Sequence, residues 1–92
     1  MAKLLVYSCT KPYSCRVVGE VKDGELIIVD DAVATKILAG SSAADFTDVT
    51  SDPIEDIEVD FPGVEDALAE FEAGEVTIVT RPGVQCVKVQ PA

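Results

Sequence analysis

Leu26, Ile27, Ile28 and Val29 stand in an unbroken row, and this run constrains the fold more than any other part of the 92-residue chain. Successive side chains of a strand face opposite ways. Four apolar residues together therefore describe a strand buried on both faces, or one whose outer face is covered by a helix or another chain. Such a strand belongs at the centre of a sheet. A chain of this length has material for one domain and one core. That core is shallow, because the 48% hydrophobic content is mostly fourteen Val and ten Ala, with three Phe, two Tyr and no Trp. A shallow core gains from burial against neighbours, so self-association or docking on a larger assembly is expected.

The flanking sequence supplies the rest of the sheet. Residues 3–8 and 15–21 are β-rich runs separated by a loop containing Pro12, and Asp23-Gly24 is a pair that favours a tight hairpin turn. After the central strand, Asp30 or Asp31 is a natural N-cap, Val33, Ile37 and Leu38 recur at helical spacing, and Gly40 ends the run. Residues 41–53 read as a polar loop with a short strand around Phe46 and Val49. From Ile57 the apolar residues Ile57, Val59 and Phe61 alternate with Glu58 and Asp60, which predicts a half-exposed strand with a wholly acidic outer face. Val64, Ala67, Leu68 and Phe71 form a helical stripe between Pro62-Gly63 and Gly74. Residues 75–80 and 84–89 then predict a hairpin about Arg81-Pro82-Gly83, and the tail from Gln90 to Ala92 is expected to fray. The sum is an α+β domain, a small mainly antiparallel sheet of about five or six strands with two short helices.

Charge is distributed unevenly along this frame. Residues 37–80 carry twelve of the seventeen acids and no Lys or Arg, whereas the remainder holds seven bases against five acids. The net charge of -10 is thus concentrated in one region, which repels nucleic acid and attracts basic surfaces. Direct nucleic-acid binding needs a clustered basic footprint, and the bases here are scattered. No stretch approaches the roughly 20 apolar residues of a membrane span, and the first residues do not read as a secretion signal.

Chemistry-bearing sets are sparse. Asp45, Asp48, Asp52, Glu55 and Asp56 lie close together but lack the glycine and alternating acids of a calcium loop, so they read as a solvated face. With no His and three Cys lacking a C-x2-C pair, a zinc site is short of ligands. Neither a cofactor nor an enzymatic activity is expected: the thiols have no imidazole base, and Cys9, Cys15 and Cys86 read as small fillers of the sheet. A bridge between Cys9 and Cys15 requires Cα atoms within about 7 Å, which the sequence leaves open. For contact with an acidic protein surface the candidates are Lys3, Lys11, Arg16 and Arg81, and for a basic partner they are Asp52, Glu55, Asp56, Glu58 and Asp60.

The segment DGELIIVDDAVATKILAGSSAADF, residues 23–46, resembles a pattern found in small head proteins of tailed bacteriophages. Its parts are the Asp23-Gly24 turn, the apolar strand, an acid-capped helix with Val33, Ala34 and Leu38, and then Gly40 with Ala43 and Ala44. The resemblance covers about a quarter of the chain and implies a virion protein made in the host cytoplasm. It implies a capsid decoration or cement role on the major capsid protein lattice, with a head-tail connector component as a close variant. A second class is open from the charge pattern, an acidic DNA-mimic inhibitor of anti-restriction or anti-CRISPR type that occupies a basic groove of a host enzyme. A third is a stand-alone domain whose acids serve hydration alone.

Overall fold

The computed structural model describes residues 2–15, 18–73 and 86–92. Its main sheet has four antiparallel strands in the order β5-β1-β4-β6, formed by β1 (Ala2–Tyr7), β4 (Leu26–Asp30), β5 (Phe46–Asp48) and β6 (Cys86–Val89). A separate antiparallel pair is made by β2 (Tyr13–Cys15) and β3 (Gly19–Val21). Three helices complete the α+β fold: α1 (Asp31–Leu38), α2 (Ile54–Asp60) and α3 (Val64–Glu72), with a single 3-10 turn at Ala43–Asp45.

β4 lies between β1 and β6, with Leu4 opposite Ile28, Leu5 opposite Ile27 and Leu26 opposite Val89. All four residues of the apolar run are fully buried, as their sequence requires. The strand alternation sends them to two cores. Leu5, Tyr7, Ile27, Val29 and Cys86 face Ala34 and Ile37 of α1 together with Val21 of β3 and Val18 just before it. Leu4, Leu26, Ile28, Val87 and Val89 face Ile57, Phe61, Val64 and Phe71 of the α2–α3 layer. Each fully buried aliphatic side chain contributes about 1.5–3 kcal/mol, so both layers are needed to hold one thin sheet.

Three expectations change. First, residues 57–61 are not a strand. Ile54, Ile57 and Phe61 match a helical period and turn inward, while Val59, the middle member of the apparent alternation, is 73% exposed. Over so short a segment periods 2 and 3.6 share the pair Ile57 and Phe61, and burial against Leu4 and Ile28 selects the helix. Second, the run at residues 15–21 is divided: Gly19 has φ +71, a left-handed conformation, and β3 folds back on β2 rather than joining the main sheet. The Asp23-Gly24 turn does form, with Gly24 at φ +87 and Glu25 N–H donating to the Lys22 carbonyl at 3.1 Å, but it links two sheets instead of closing a hairpin. Third, the tail is pinned. Ala92 N–H donates to the Asp60 carbonyl at 2.8 Å, and the Gln90 amide donates to the buried Glu25 carboxylate, which also accepts Lys22 N–H at 2.6 Å.

Of the predicted C-terminal hairpin, residues 86–89 form β6 and the turn at Arg81-Pro82-Gly83 lies outside the described residues. The predicted second helix is observed as α3, and its first turn is completed by α2: one Glu58 carboxylate oxygen accepts Gly63 N–H at 2.8 Å and Val64 N–H at 2.9 Å. These are N–H groups that a helix cannot satisfy within itself.

Candidate docking groove

The α2–α3 layer leaves part of the sheet uncovered where β1 and β5 meet. There an open groove of about 520 Å³ is lined by Val6 of β1, Thr47 of β5, Val49 just after it, Asp60 and Phe61 at the end of α2, and Gly24 with the Pro91-Ala92 tail. A recess of about 100 Å³ shares Val6, Val49, Asp60 and Phe61 with it and extends to Asp52, Asp56 and Ile57.

Local structure explains this placement. The Thr47 side chain lies opposite Val6 across the β1–β5 ladder, so both point to the same face of the sheet. The chain leaving β5 is anchored by Leu4 N–H donating to Thr50 Oγ1 at 2.9 Å and Val49 N–H donating to the Leu4 carbonyl at 2.9 Å. Asp52 N–H then donates to the Val49 carbonyl at 3.0 Å and turns the chain into α2. Four-residue spacing places Asp56 and Asp60 along one line of that helix, with Asp52 continuing the line at its start.

The five acids proposed as one face are therefore separated by helical geometry. Asp52, Asp56 and Asp60 rim the groove and recess, Glu58 is turned to the α3 N-terminus, and Glu55 lines neither cavity. Residues 54–72 nevertheless carry eight acids and no base, so the whole α2–α3 layer is negative. Glu55 and Asp56 in the first turn of α2, and Glu65 and Asp66 in that of α3, lie where the helix dipole favours negative charge.

Of the basic candidates, Lys3 and Lys11 lie toward opposite ends of β1. Lys3 sits near the start of β1 with Nζ 3.9 Å from Asp31 Oδ1, and its charge also helps to hold Asp48 ionised. Lys11 belongs to the loop beyond the other end of β1; Lys3 and Tyr7 are four residue steps apart along the strand, roughly 13 Å at the usual rise. Arg16 and Arg81 lie outside the described residues.

On the opposite face, Tyr7, Tyr13 and Phe46 form an aromatic cluster, with Tyr7 and Phe46 centroids 4.9 Å apart and Tyr13 set edge-on to Phe46 at 5.0 Å. The Tyr7 hydroxyl donates to the Lys11 carbonyl at 2.6 Å. Burial, then its hydrogen bond with Cys9, pushes the Tyr7 pKa up to about 12, so the phenol is neutral and structural at ordinary pH. The Asp48 carboxyl is held below the usual range, first by the Thr50 hydroxyl and then by Thr50 N–H, which donates at 2.9 Å. Cys9 carries a free thiol. Among the described residues no group of three His, Cys, Asp or Glu is arranged to hold a metal ion, and no helix is long and apolar enough to cross a membrane.

The groove residues Val6, Thr47, Phe61 and Pro91 carry no sequence signal, since they come from four distant segments whose only relation is tertiary. Compared with family models, curated proteins and solved structures, the chain matches none.

Proposed function

We propose that this protein is a non-enzymatic structural protein of a tailed-bacteriophage virion, a decoration or cement protein that stabilises the head by binding the major capsid lattice. The observation that carries this reading is the sorting of its surface: an entirely acidic helical layer borders an apolar groove, on a module whose central strands are already covered on both faces. The phage-head resemblance of residues 23–46 adds to it. Its turn, strand, helix and small-residue elements occur in the fold as the Gly24 turn, β4, α1 and the Ala43–Asp45 turn. Such a module acts mechanically, through many weak contacts repeated over a lattice and between sister subunits, rather than through chemistry. The basic candidates for lattice contact are Lys3, Lys11, Arg16 and Arg81, and the solvent-open ion pair of Lys3 with Asp31 at 3.9 Å leaves Lys3 among them.

The test is co-sedimentation with undecorated phage capsids across a salt series, with light scattering of the free protein as control. Saturable binding that survives moderate salt is expected. A soluble monomer that never sediments with capsids overturns the proposal. Alanine at Arg16 and Arg81 together reduces occupancy; unchanged occupancy removes both from the contact.

A second reading is favoured by one specific observation, the eight acids without a base on α2 and α3. As an acidic mimic of DNA, the protein would occupy the basic groove of a host enzyme. Binding of that kind weakens steeply as salt screens exposed charges, whereas lattice docking through apolar burial persists.

A further inference from the structure

We infer that the groove between β5 and the end of α2 receives an extended segment of the protein partner, bearing one large apolar side chain flanked by Lys or Arg. This rests on the decoration reading and names one contact within it.

Shape and polarity set the class of occupant. The floor is apolar, from Val6, Val49, Phe61 and Pro91, and the volume of about 520 Å³ falls within the range of about 300–1,000 Å³ of ligand clefts. It is open rather than enclosed, so it suits a side chain presented by a larger molecule better than a small ligand needing envelopment. The groove also runs beside β5, whose one edge is paired with β1 and whose other edge meets no strand among the described residues. An edge of this kind accepts an extended chain by main-chain hydrogen bonds while alternate side chains drop to one face.

Charge complementarity then selects the sequence of the segment. Asp60 is exposed at the groove and Asp52 and Asp56 at the adjoining recess, and no basic residue lines either among the described residues. Phosphate backbones and anionic membranes are repelled by such a rim. An apolar anchor with Lys or Arg on either side satisfies both elements, burying the anchor on Phe61 and Val49 while its cations meet the aspartates. The basic flanks supply orientation and association rate, and the anchor supplies residence time.

The probes are four short peptides, each with a central Leu, Ile, Phe or Trp between lysines, titrated to about 1 mM against the full chain while backbone amide resonances are followed, a concentration at the weak end of specific affinity. Saturable shifts centred on Val6, Thr47, Val49 and Phe61 are expected for at least one peptide. Replacing its anchor by Ala, or combining Asp56→Asn with Asp60→Asn in the protein, weakens binding roughly tenfold or more. Thr47→Arg, an exposed position, blocks the groove with the rest of the spectrum unchanged. No groove-centred shifts with any of the four, or shifts spread over Glu65, Asp66, Glu70 and Glu72 whatever the anchor, overturns the inference. The capsid assay separates the two proposals. Wild-type and Thr47→Arg proteins sedimenting equally overturns the groove contact and keeps decoration, whereas anchor-dependent peptide binding without capsid binding keeps the groove and overturns decoration.

Discussion

Glu58 on α2 holds the first turn of α3 through Val64, whose backbone N–H lies 2.9 Å from a carboxylate oxygen of Glu58. The same oxygen accepts Gly63 N–H, so one acidic side chain closes the connection between two helices, sharing Val64 N–H with the Phe61 carbonyl at 3.1 Å. This places a net negative group at the positive end of a helix dipole, and it depends on α2 being helical.

Removing that carboxylate loosens α3 at its N-terminus. Glu58→Ala is expected to cost about 0.5–2 kcal/mol, the range for loss of a helix cap. Glu58→Gln, which keeps an acceptor but not the charge, should cost less. Urea unfolding monitored by circular dichroism measures both, and equal stability of all three proteins would show that the cap contributes nothing.

The helical conformation of residues 54–60 predicts opposite outcomes at two neighbouring apolar positions. Ile57 is buried against the sheet and Val59 is 73% exposed. Ile57→Ala should destabilise by about 2–5 kcal/mol through lost burial and a residual cavity. Val59→Ala should stay within about 0.5 kcal/mol of wild type, since Ala is the better helix former and nothing buried is lost. Similar losses at both sites would favour the strand that the alternation suggests.

Tyr7 and Asp48 limit stability at opposite ends of the pH scale. The Tyr7 pKa rises from 10.0 to about 12, so the fold prefers the neutral phenol. Its contribution is fully present below pH 10 and is lost as pH climbs through about 12. Asp48 is shifted the other way, below 3.8, so its contribution is present above that value and is lost as pH falls through the lowered folded pKa. Tyr7→Phe should flatten the alkaline limb of a stability profile, and Asp48→Asn the acid limb. Denaturant midpoints recorded across pH test both, and unchanged limbs would remove these residues as the cause.

Gly63 separates backbone strain from packing. Its φ is +93 and a Cβ placed there meets no atom within 4 Å. Gly63→Ala should therefore cost about 1–2 kcal/mol from the left-handed conformation alone, with no cavity or clash involved. A neutral result by thermal unfolding would mean that the Pro62-Gly63 turn relaxes.

Much of the local structure was legible in the sequence because it depends on short-range rules. The row from Leu26 to Val29 required a strand covered on both sides, and Val64, Ala67, Leu68 and Phe71 required a helix with one buried stripe. Asp23-Gly24 required a tight turn and Gly24 supplies its positive φ. The concentration of acids in residues 37–80 is likewise a property of the chain order.

Tertiary structure decided where those pieces went. Ile57, Val59 and Phe61 satisfy a strand pattern as written, and only the sheet face offered by Leu4 and Ile28 makes the helix the conformation that buries Ile54, Ile57 and Phe61 together. The same helix splits the acids, sending Glu58 to cap α3 and Asp52, Asp56 and Asp60 to the groove rim. The groove itself joins Val6, Thr47, Phe61 and Pro91 across nearly the whole chain. Strand, helix and turn preferences act over a few residues, whereas a surface is made by packing, which brings together residues that no local pattern relates.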